Sequence, residues 1–284
     1  MINYIKRKDL EVVKYNDCIE NSIQSRIYAY SWYLDIVTDN WDVLVLNDYE
    51  AVMPVPWKQK YLIKYVTQPY FTQQLGVFSK KIISEGLQKK MLNKIPFKFL
   101  KVSLCLNSDN LLLSEKTERK NYILKLSSTY VAVQKGFSKG RKHAVKVGEK
   151  ANLKLIHISI EKLIEIQSKN YKYKIPETTL KKIAKVFLQK EEGEILGVFK
   201  EGELLGGGFF INDKNKLIYL YSAFTAEGKK LQAASFLISS IIKKHQSSNL
   251  VLDFEGGNLP TIGKFYRSLG AEEVAYSAFK RTFL

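Results

Sequence analysis

Two residues near the carboxyl end of the chain have side chains suited to proton transfer. Glu255 follows an apolar run that ends at Phe254, and a carboxylate at the end of a buried strand can accept a proton from an amine, directly or through water. Tyr266 lies on the amphipathic segment that comes next, and its phenol can donate a proton. The competing interpretations are a helix-capping carboxylate for Glu255 and core packing for Tyr266.

The elements that must position these two residues are a strand, a turn, a helix and a second strand. The first strand stops at Gly256-Gly257, and the helix has an early Pro260 and ends at Gly270. Asn258 is predicted to cap this helix, and a strand is predicted from Val274 through Phe283. The apolar residues of the helix recur at helical spacing: Ile262, Phe265, Tyr266 and Leu269.

The composition is that of a folded, basic protein. The chain has 284 residues, of which 45% are hydrophobic, enough for one large or two ordinary domains. Its net charge of +17 implies an anionic partner or a membrane surface, and a Lys-rich composition that aids solubility is the alternative. The apolar runs are too short to span a membrane, and the charged N-terminus does not resemble a signal peptide. A cytoplasmic location is therefore expected.

The cysteines and histidines indicate no metal site. Cys18 and Cys105 lack the spacing of metal ligands, and both are expected as free thiols. No His–carboxylate set, Walker loop or nucleophile elbow is present in the sequence.

The order of predicted elements repeats along the chain. Each half contains a strand, two helices, antiparallel strands, a helix and a strand, although the first half lacks a counterpart of the Tyr266 helix. A long, basic helical segment from about Ser128 to Ala151 follows the first half. This order predicts an α/β fold of α+β layers with two domains, residues 1–127 and 128–284. Each domain is expected to be a mixed, mostly antiparallel sheet flanked by helices.

Three stretches carry a resemblance to a known family. They are Lys139-Gly-Arg-Lys-His-Ala-Val-Lys146; Asp253-Phe-Glu-Gly256 with the Tyr266 helix; and Trp32-Tyr33 with Gln68-Pro69-Tyr70-Phe71 and Gln73-Gln74-Leu75-Gly76. With them the chain resembles the FemABX-like proteins of the GNAT acyltransferase superfamily, aminoacyltransferases that build peptidoglycan cross-bridges. The resemblance covers nearly the whole chain and implies two tandem GNAT-like domains, the second entered through a basic helix. The long coiled-coil arm of some members that use aminoacyl-tRNA is absent from the sequence.

The resemblance implies an N-acyltransferase. An acyl or aminoacyl group would pass from acyl-CoA or aminoacyl-tRNA to an amine of an anionic acceptor, such as a cell-envelope precursor. This reaction needs a polarised donor carbonyl, a deprotonated amine and a protonated leaving group. In the family's pattern Tyr266 would be the acid and Glu255 the base. The N–H groups of Gly206, Gly207 and Gly208 would face the acyl carbonyl, and a β-bulge is the alternative for these glycines.

The superfamily binds the donor pyrophosphate on a loop and a helix N-terminus. The corresponding loop here opens a predicted helix, Lys229–His245, and contains Gly228, Lys229 and Lys230. Gln232 stands where the superfamily's pattern has a glycine, if Ala234 fills the last position of that pattern. This departure from the pattern argues against tight binding of acetyl-CoA. The alternative interpretation of the segment is an ordinary helix start with a glycine turn.

Further residues are predicted to bind substrate. Lys139, Arg141 and Lys142 can place cations on one helix, which suits a pyrophosphate or a nucleic-acid backbone. A solvated basic face explains them equally well. Tyr70 and Phe71, near Gln73, are predicted to line a cleft between the halves, with core packing as the alternative.

Two functions without catalysis stay open. One is a nucleic-acid-binding protein on a GNAT-like scaffold, which the charge and the basic helix favour. The other is a protein of cell-envelope assembly that acts through protein contacts. A fold resemblance alone does not distinguish these functions from acyl transfer.

Overall fold

A computed structural model describes residues 1–110 and 118–283 of the chain. They form two compact units: unit 1 consists of Met1–Arg119 and Ala275–Leu284, and unit 2 of Lys120–Val274. The predicted domains, 1–127 and 128–284, divide the chain differently at two places. Unit 2 already begins at Lys120, and the chain from Ala275 onward belongs to unit 1.

The strands and helices of the described ranges have the following bounds. The strands are β1 Ile2–Lys6, β2 Trp41–Leu46, β3 Ala51–Lys60, β4 Ile63–Thr67, β5 Phe78–Ser79, β6 Phe99–Cys105, β7 Glu118–Lys125, β8 Lys154–His157, β9 Gly193–Lys200, β10 Glu203–Asp213, β11 Lys216–Phe224, β12 Val251–Asp253 and β13 Glu272–Thr282. The helices are α1 Val12–Glu20, α2 Ser31–Val37, α3 Glu85–Asn93, α4 Tyr130–Lys135, α5 Lys139–Lys150, α6 Ile160–Asn170, α7 Glu177–Gln189, α8 Ala226–Lys230, α9 Ala233–Lys244 and α10 Pro260–Arg267.

Unit 1 is built on a mixed sheet with the strand order β1-β2-β3-β4-β6-β13, and β5 pairs with β3. Of these neighbours, β4 and β6 pair in parallel and the others are antiparallel. The core includes Met53, Val66 and Phe99, together with Phe279 from β13. Cys18 is buried and Cys105 is half-buried, and both are free thiols.

Unit 2 has a sheet of strand order β7-β12-β11-β10-β9-β8, in which β11 and β12 are parallel. Helices α6 and α9 cover its opposite faces. A Cβ placed on Gly207 would meet Leu163 of α6, and one on its neighbour Gly208 would meet Leu237 of α9. Successive residues of a strand face opposite sides of the sheet, so the two helices lie on different sides.

The two units share one order of elements: a strand, two helices, three antiparallel strands, one or two helices and a further strand. In each unit the further strand pairs in parallel with the last strand of the antiparallel set, β6 with β4 and β12 with β11. The predicted mixed, mostly antiparallel sheets flanked by helices are confirmed. None of the helices in the described ranges has the length and apolar character needed to cross a membrane.

Three predicted elements differ from the observed ones. The β-like run predicted from Lys64 through Phe78, with a turn near Pro69, forms strand only in β4, which ends at Thr67, and at the start of β5, Phe78. The basic segment forms two helices, α4 and α5, and Ser138 caps the second through the N–H of Arg141. The helix expected over Lys229–His245 is interrupted at Gln232, whose φ of +60° lies in the left-handed region.

Candidate active site

Unit 2 opens between β11 and β12. The two strands pair only along Lys216–Ile218 and Val251–Asp253. β11 continues to Phe224 beside β10, whereas the chain after β12 turns toward α10. Within the described residues no strand pairs with the β12 side of β11 beyond Ile218. Backbone polar groups need partners, so this stretch can bind a ligand.

A β-bulge bends β11 at the same point. Phe209 pairs with Tyr221 and the next residue, Phe210, pairs with Tyr219, so Leu220 is an extra residue in β11. A bulge leaves its extra residue outside the ladder and bends the strand. The bulge therefore accounts for the separation of β11 from β12.

Tyr266 lies on α10 beside this opening. Its half-buried ring stacks on the ring of Phe254, with 4.4 Å between centroids, and also contacts Tyr122 and Phe265. Phe254 directly follows β12, so the stack holds the phenol next to the point where β12 leaves β11. In the described part of the chain, the Tyr266 hydroxyl makes no hydrogen bond.

The surroundings of Tyr266 keep its phenol protonated. Burial raises its pKa, and the negative charges of Glu255 and Asp253 raise that pKa further. The charges of these two carboxylates therefore act on the Tyr266 phenol in addition to its burial. The pKa of Tyr219 is also raised, by burial first and then by Tyr266, with Tyr171 contributing. Three phenols thus lie near one another.

The turn between β12 and α10 has an unusual backbone. Glu255, Gly256 and Gly257 have φ values of +50°, +155° and +133°. A glutamate in the left-handed region is uncommon, and such residues concentrate at functional sites. Asp253 holds this turn, because its Oδ1 accepts hydrogen bonds from Asn121 Nδ2 (2.8 Å) and from the N–H of Glu255 (3.1 Å).

The predicted helix caps around this turn are absent. α10 begins after Leu259, and no side chain accepts a capping hydrogen bond there. The prediction that Asn258 caps α10 is wrong, because its Oδ1 accepts the N–H of Lys120 at 3.0 Å instead.

The turn at Gly228 is occupied by contacts within the protein. The N–H of Gly228 donates to Thr225 Oγ1 at 3.0 Å, and a Cβ at this position would lie 2.2 Å from the Leu205 carbonyl oxygen. Lys229 Nζ lies over the Tyr171 ring, 4.5 Å from its centroid, and Lys230 Nζ is 3.4 Å from a Glu227 carboxylate oxygen. These contacts argue against the predicted phosphate cradle at Gly228, Lys229 and Lys230.

The start of α9 differs from that turn. Gln232 precedes α9 in a left-handed conformation that glycine adopts more readily, which explains the glycine in the superfamily's pattern. The first N–H groups of a helix have no partner within the helix and carry a partial positive charge. Ser235 contributes a buried hydroxyl to this first turn.

Arg141 extends from α5 to this helix start. Its guanidinium donates to the hydroxyls of Ser235 and Ser268, the latter at 2.9 Å, and lies 4.0 Å from the centroid of the Phe265 ring. Burial lowers the pKa of Arg141. Among the described residues no carboxylate pairs with this half-buried cation. A cation beside a helix N-terminus is favourable only with an anion between them.

Arg141 also lines a groove of about 670 Å³ with Lys264 and Arg267 of α10. Its other lining residues are Ser138, Gly140, Thr261, Phe265 and Ser268. The groove is therefore positively charged. Of the other predicted cations, Lys139 is exposed at the start of α5, and Lys142 Nζ donates to the Lys135 carbonyl at 3.1 Å.

Gly207 and Gly208 lie inside the sheet of unit 2. They pair with Ala223 and Ser222 of β11 on one side and with β9 on the other. Because strand pairing on both sides uses their backbone groups, the prediction that their N–H groups face an acyl carbonyl is not supported. The alternative, a β-bulge, is present one residue earlier. The register with β9 shifts between Leu204 and Gly206, and Gly206 has a φ of +152°.

The predicted substrate residues of the first half all lie between β4 and β5 of unit 1. Tyr70 is exposed, and Phe71 is half-buried with its carbonyl bound by the Tyr33 hydroxyl. Gln73 Oε1 accepts a hydrogen bond from Gln74 Nε2 at 2.7 Å. Their role in substrate binding stays a prediction. In residues 1–110 and 118–283 no cluster of three or more His, Cys, Asp or Glu residues could hold a metal ion.

Several residues of the opening and the groove carried no local sequence signal. They are Asn121, Tyr171, Tyr219, Ser235, Lys264 and Arg267. The Tyr171 hydroxyl, for example, accepts the N–H of Phe224 at 3.2 Å, where β11 has left β12. A contact between residues so far apart in the sequence follows from the fold alone.

No protein-family model matches the chain, and no curated protein matches it in sequence. Solved structures do match. A crystal structure of FemX has a TM-score of 0.69 and 9% identity, covering 98% of this chain and 96% of FemX. A tandem GNAT protein from the clavulanic acid biosynthesis pathway, determined without AcCoA, has a TM-score of 0.55 and 9% identity. The match covers 99% of this chain and 98% of that protein. The C-terminal domain of a putative lysylphosphatidylglycerol synthetase from Agrobacterium fabrum has a TM-score of 0.54 and 9% identity. The match covers 94% of this chain and 90% of that domain.

Identities this low show similarity of fold alone. The matches span both units, and one of them is itself a tandem GNAT protein. A tandem GNAT protein among them agrees with the element order that repeats in the two units. The predicted α/β fold of two tandem GNAT-like domains is confirmed, and the fold of the chain is FemABX-like.

Proposed function

We propose that the chain is an N-acyltransferase that moves an activated acyl or aminoacyl group to an amine of an anionic acceptor. The observation that carries this proposal is the protonated phenol of Tyr266 beside Glu255 where β11 and β12 separate. The fold shared with FemX, with a tandem GNAT protein and with a lysylphosphatidylglycerol synthetase domain supports a transferase of acyl or aminoacyl groups.

The proposed roles follow from the protons that must move. The donor, an acyl-CoA or an aminoacyl-tRNA, supplies the activated carbonyl and the leaving group. Glu255 takes the proton of the attacking amine, directly or through water, while Asp253 holds the turn. Tyr266 gives its proton to the leaving sulfur or oxygen as the new C–N bond replaces the C–S or C–O bond. Backbone N–H groups of β11 beyond the bulge polarise the carbonyl.

The anionic groups of donor or acceptor would bind at the start of α9 and in the groove lined by Arg141. This assignment rests on the helix N-terminus, on the Arg141 guanidinium beside Ser235, and on Lys264 and Arg267. It replaces the Gly228 turn, whose N–H is already used. A cell-envelope precursor, which carries phosphate, is one acceptor class that fits this charge.

The test is the rate of acyl transfer by Tyr266→Phe. Acetyl-CoA, longer acyl-CoAs and aminoacyl-tRNA serve as donors, and the wild type first identifies the active pair. We expect turnover to fall about 10²- to 10⁴-fold, because a proton donor is lost. Donor affinity and melting temperature should stay nearly unchanged, because phenylalanine keeps the stack on Phe254.

The matched control is Tyr122→Phe, at a ring 6.2 Å from that of Tyr266. Its hydroxyl donates to Glu273 rather than facing the opening, so this variant should keep the wild-type turnover. Wild-type turnover in Tyr266→Phe would exclude the phenol from the mechanism.

A second candidate is a nucleic-acid-binding protein without catalysis. The net charge of +17 and the positively charged groove favour it. RNA affinity that falls steeply with salt, together with no transfer from any donor to any amine, would select this function over acyl transfer.

A further inference from the structure

An apolar hairpin tip projects from unit 1. β3 and β4 pair from Trp57↔Val66 to Lys60↔Ile63, so Tyr61 and Leu62 form the turn. The side chain of Tyr61 is 85% exposed and that of Leu62 is 94% exposed. β2 pairs with β3 no further than Pro56. The hairpin thus extends past β2 by the four residues 57–60, roughly 13 Å at the usual rise of a strand.

The residues of this turn are not those that a tight turn favours. Tyr61 has a φ of +54°, in the left-handed region that glycine and asparagine adopt readily and bulky aromatic residues rarely do. Leu62 places an apolar side chain in water. Neither the turn geometry nor the core of unit 1 requires Tyr-Leu at these two positions.

Two further aromatic residues are exposed at the same end of the sheet. Lys64 pairs in parallel with Phe99, so Phe97, two residues before Phe99, lies at the end where Leu62 precedes Lys64. Phe97 is 72% exposed, and Phe283 packs on it with 5.0 Å between ring centroids. The apolar patch is defined here as Tyr61, Leu62, Ile63, Phe97 and Phe283.

Lysines surround the apolar patch without acidic partners. In the described chain, none of Lys58, Lys60, Lys64, Lys94 and Lys98 forms a salt bridge. Between Glu50 and Asp109 the sequence has one acidic residue, Glu85, and ten lysines. These are Lys58, Lys60, Lys64, Lys80, Lys81, Lys89, Lys90, Lys94, Lys98 and Lys101. Burial lowers the pKa of Lys98, Asp42 raises it, and the nearby cations Lys64 and Lys6 lower it further.

We propose that the apolar patch and its lysines bind the surface of an anionic lipid bilayer, with Tyr61 and Leu62 entering the headgroup region. Apolar side chains gain free energy by leaving water, and tyrosine suits the boundary between headgroups and acyl chains. Lysines keep their stems along the apolar surface while their charges reach lipid phosphates. This inference does not depend on the proposed acyl transfer.

The charges and the side-chain types favour a bilayer over two other occupants. A nucleic acid would contact the lysines and stack on Tyr61, but it offers no apolar partner for Leu62 and Ile63. A second copy of the same surface would bring two sets of lysines together, and like charges repel. An anionic bilayer has both an apolar interior and negative headgroups.

The experiment is co-sedimentation of the full chain with two kinds of vesicle. One kind is phosphatidylcholine alone, and the other is an equal mixture of phosphatidylcholine and phosphatidylglycerol. We expect binding to the mixed vesicles that weakens as salt is added. Leu62→Ser should lower the partition coefficient about tenfold, because a leucine side chain no longer leaves water. The double variant Lys60→Gln with Lys64→Gln should reduce the preference for phosphatidylglycerol.

Ile82→Ser is the matched control. Ile82 is 90% exposed in the same unit and follows β5, which pairs with Ala51 and Val52 at the opposite end of β3. This variant should bind vesicles like the wild type.

Equal binding by Leu62→Ser and Ile82→Ser, or no wild-type binding to mixed vesicles at low salt, would overturn the proposal. So would a dimer, or an RNA complex, that Leu62→Ser abolishes. Acyl transfer without vesicles should be unchanged in Leu62→Ser, so a failure here is distinguishable from a failure of the proposed enzyme.

Discussion

Arg141 combines a full positive charge with partners that cannot neutralise it. Two serine hydroxyls and an aromatic ring surround its guanidinium, and burial lowers its pKa. An unpaired buried charge lowers the stability of a protein. At the scale of a single residue, the anionic ligand proposed above would supply the missing negative charge.

Arg141→Gln tests this explanation. We expect affinity for an anionic probe, coenzyme A or inorganic pyrophosphate, to fall by about 2 kcal/mol or more, because a buried charge–charge contact is lost. The free energy of unfolding without ligand should stay level or rise, because the unpaired charge is gone. Calorimetric titration and thermal unfolding measure the two effects.

Lys139→Gln, at an exposed lysine of the same helix, is the control and should change the affinity and the free energy of unfolding only slightly. Loss of stability without loss of affinity would make Arg141 a structural residue.

At the scale of elements, two positions between β11 and α9 have backbone requirements that glycine meets best. They are Gly228 and Gln232, and the two requirements differ. Gly228 allows α8 to lie against the backbone of β10, where a Cβ would be 2.2 Å from the Leu205 carbonyl oxygen. Gln232 adopts a left-handed conformation immediately before α9. The first position is therefore needed for packing, and the second shapes the helix N-terminus that an anion would approach.

Gly228→Ala should destabilise the protein by about 1–3 kcal/mol, the usual cost of overpacking. Gly140→Ala is the matched control, because a Cβ there meets nothing within 4 Å and alanine favours a helix. The control should unfold at the wild-type temperature or slightly above it in a thermal melt. If Gly228→Ala were as stable as Gly140→Ala and lost only donor affinity, the original phosphate cradle would be reinstated.

Sequence patterns predicted the elements with strong periodicity and missed those set by tertiary contacts. The Tyr266 helix follows from apolar spacing between Pro260 and Gly270. The bulge at Leu220 does not, because it is visible only in the pairing of β11 with β10. Tyr266 and Glu255 were found by residue type in one local segment. Lys264 and Ser235 belong to the site only because the fold brings α10, α5 and α9 together.

At the scale of the whole molecule, the order of the chain and the order in space differ. β13 pairs with β6 from Ala278↔Cys105 to Thr282↔Lys101 and brings Phe279 into the core of unit 1. Residues from the far end of the sequence therefore complete the unit that the first residues begin.

Phe279→Ala tests how much β13 contributes to the stability of unit 1. All three tryptophans, Trp32, Trp41 and Trp57, lie in unit 1, so their fluorescence reports on that unit. We expect the denaturation midpoint of tryptophan fluorescence to fall, with a loss of about 3–5 kcal/mol, the usual cost of Phe→Ala in a core. Phe187→Ala, at a fully buried position in unit 2, is the control and should lower the midpoint of circular dichroism more than that of fluorescence. An unchanged fluorescence midpoint in Phe279→Ala would mean that unit 1 is stable without its last strand.

The late arrival of β13 has a consequence for biosynthesis. Residues 1–119 of unit 1 are translated well before β13, so β6 has no partner on its β13 side until residues beyond Ala275 have emerged. An open strand edge is a template for association with other nascent chains. The part of the polypeptide that is translated first is thus finished last, and chaperone protection during translation matters most for the amino-terminal half.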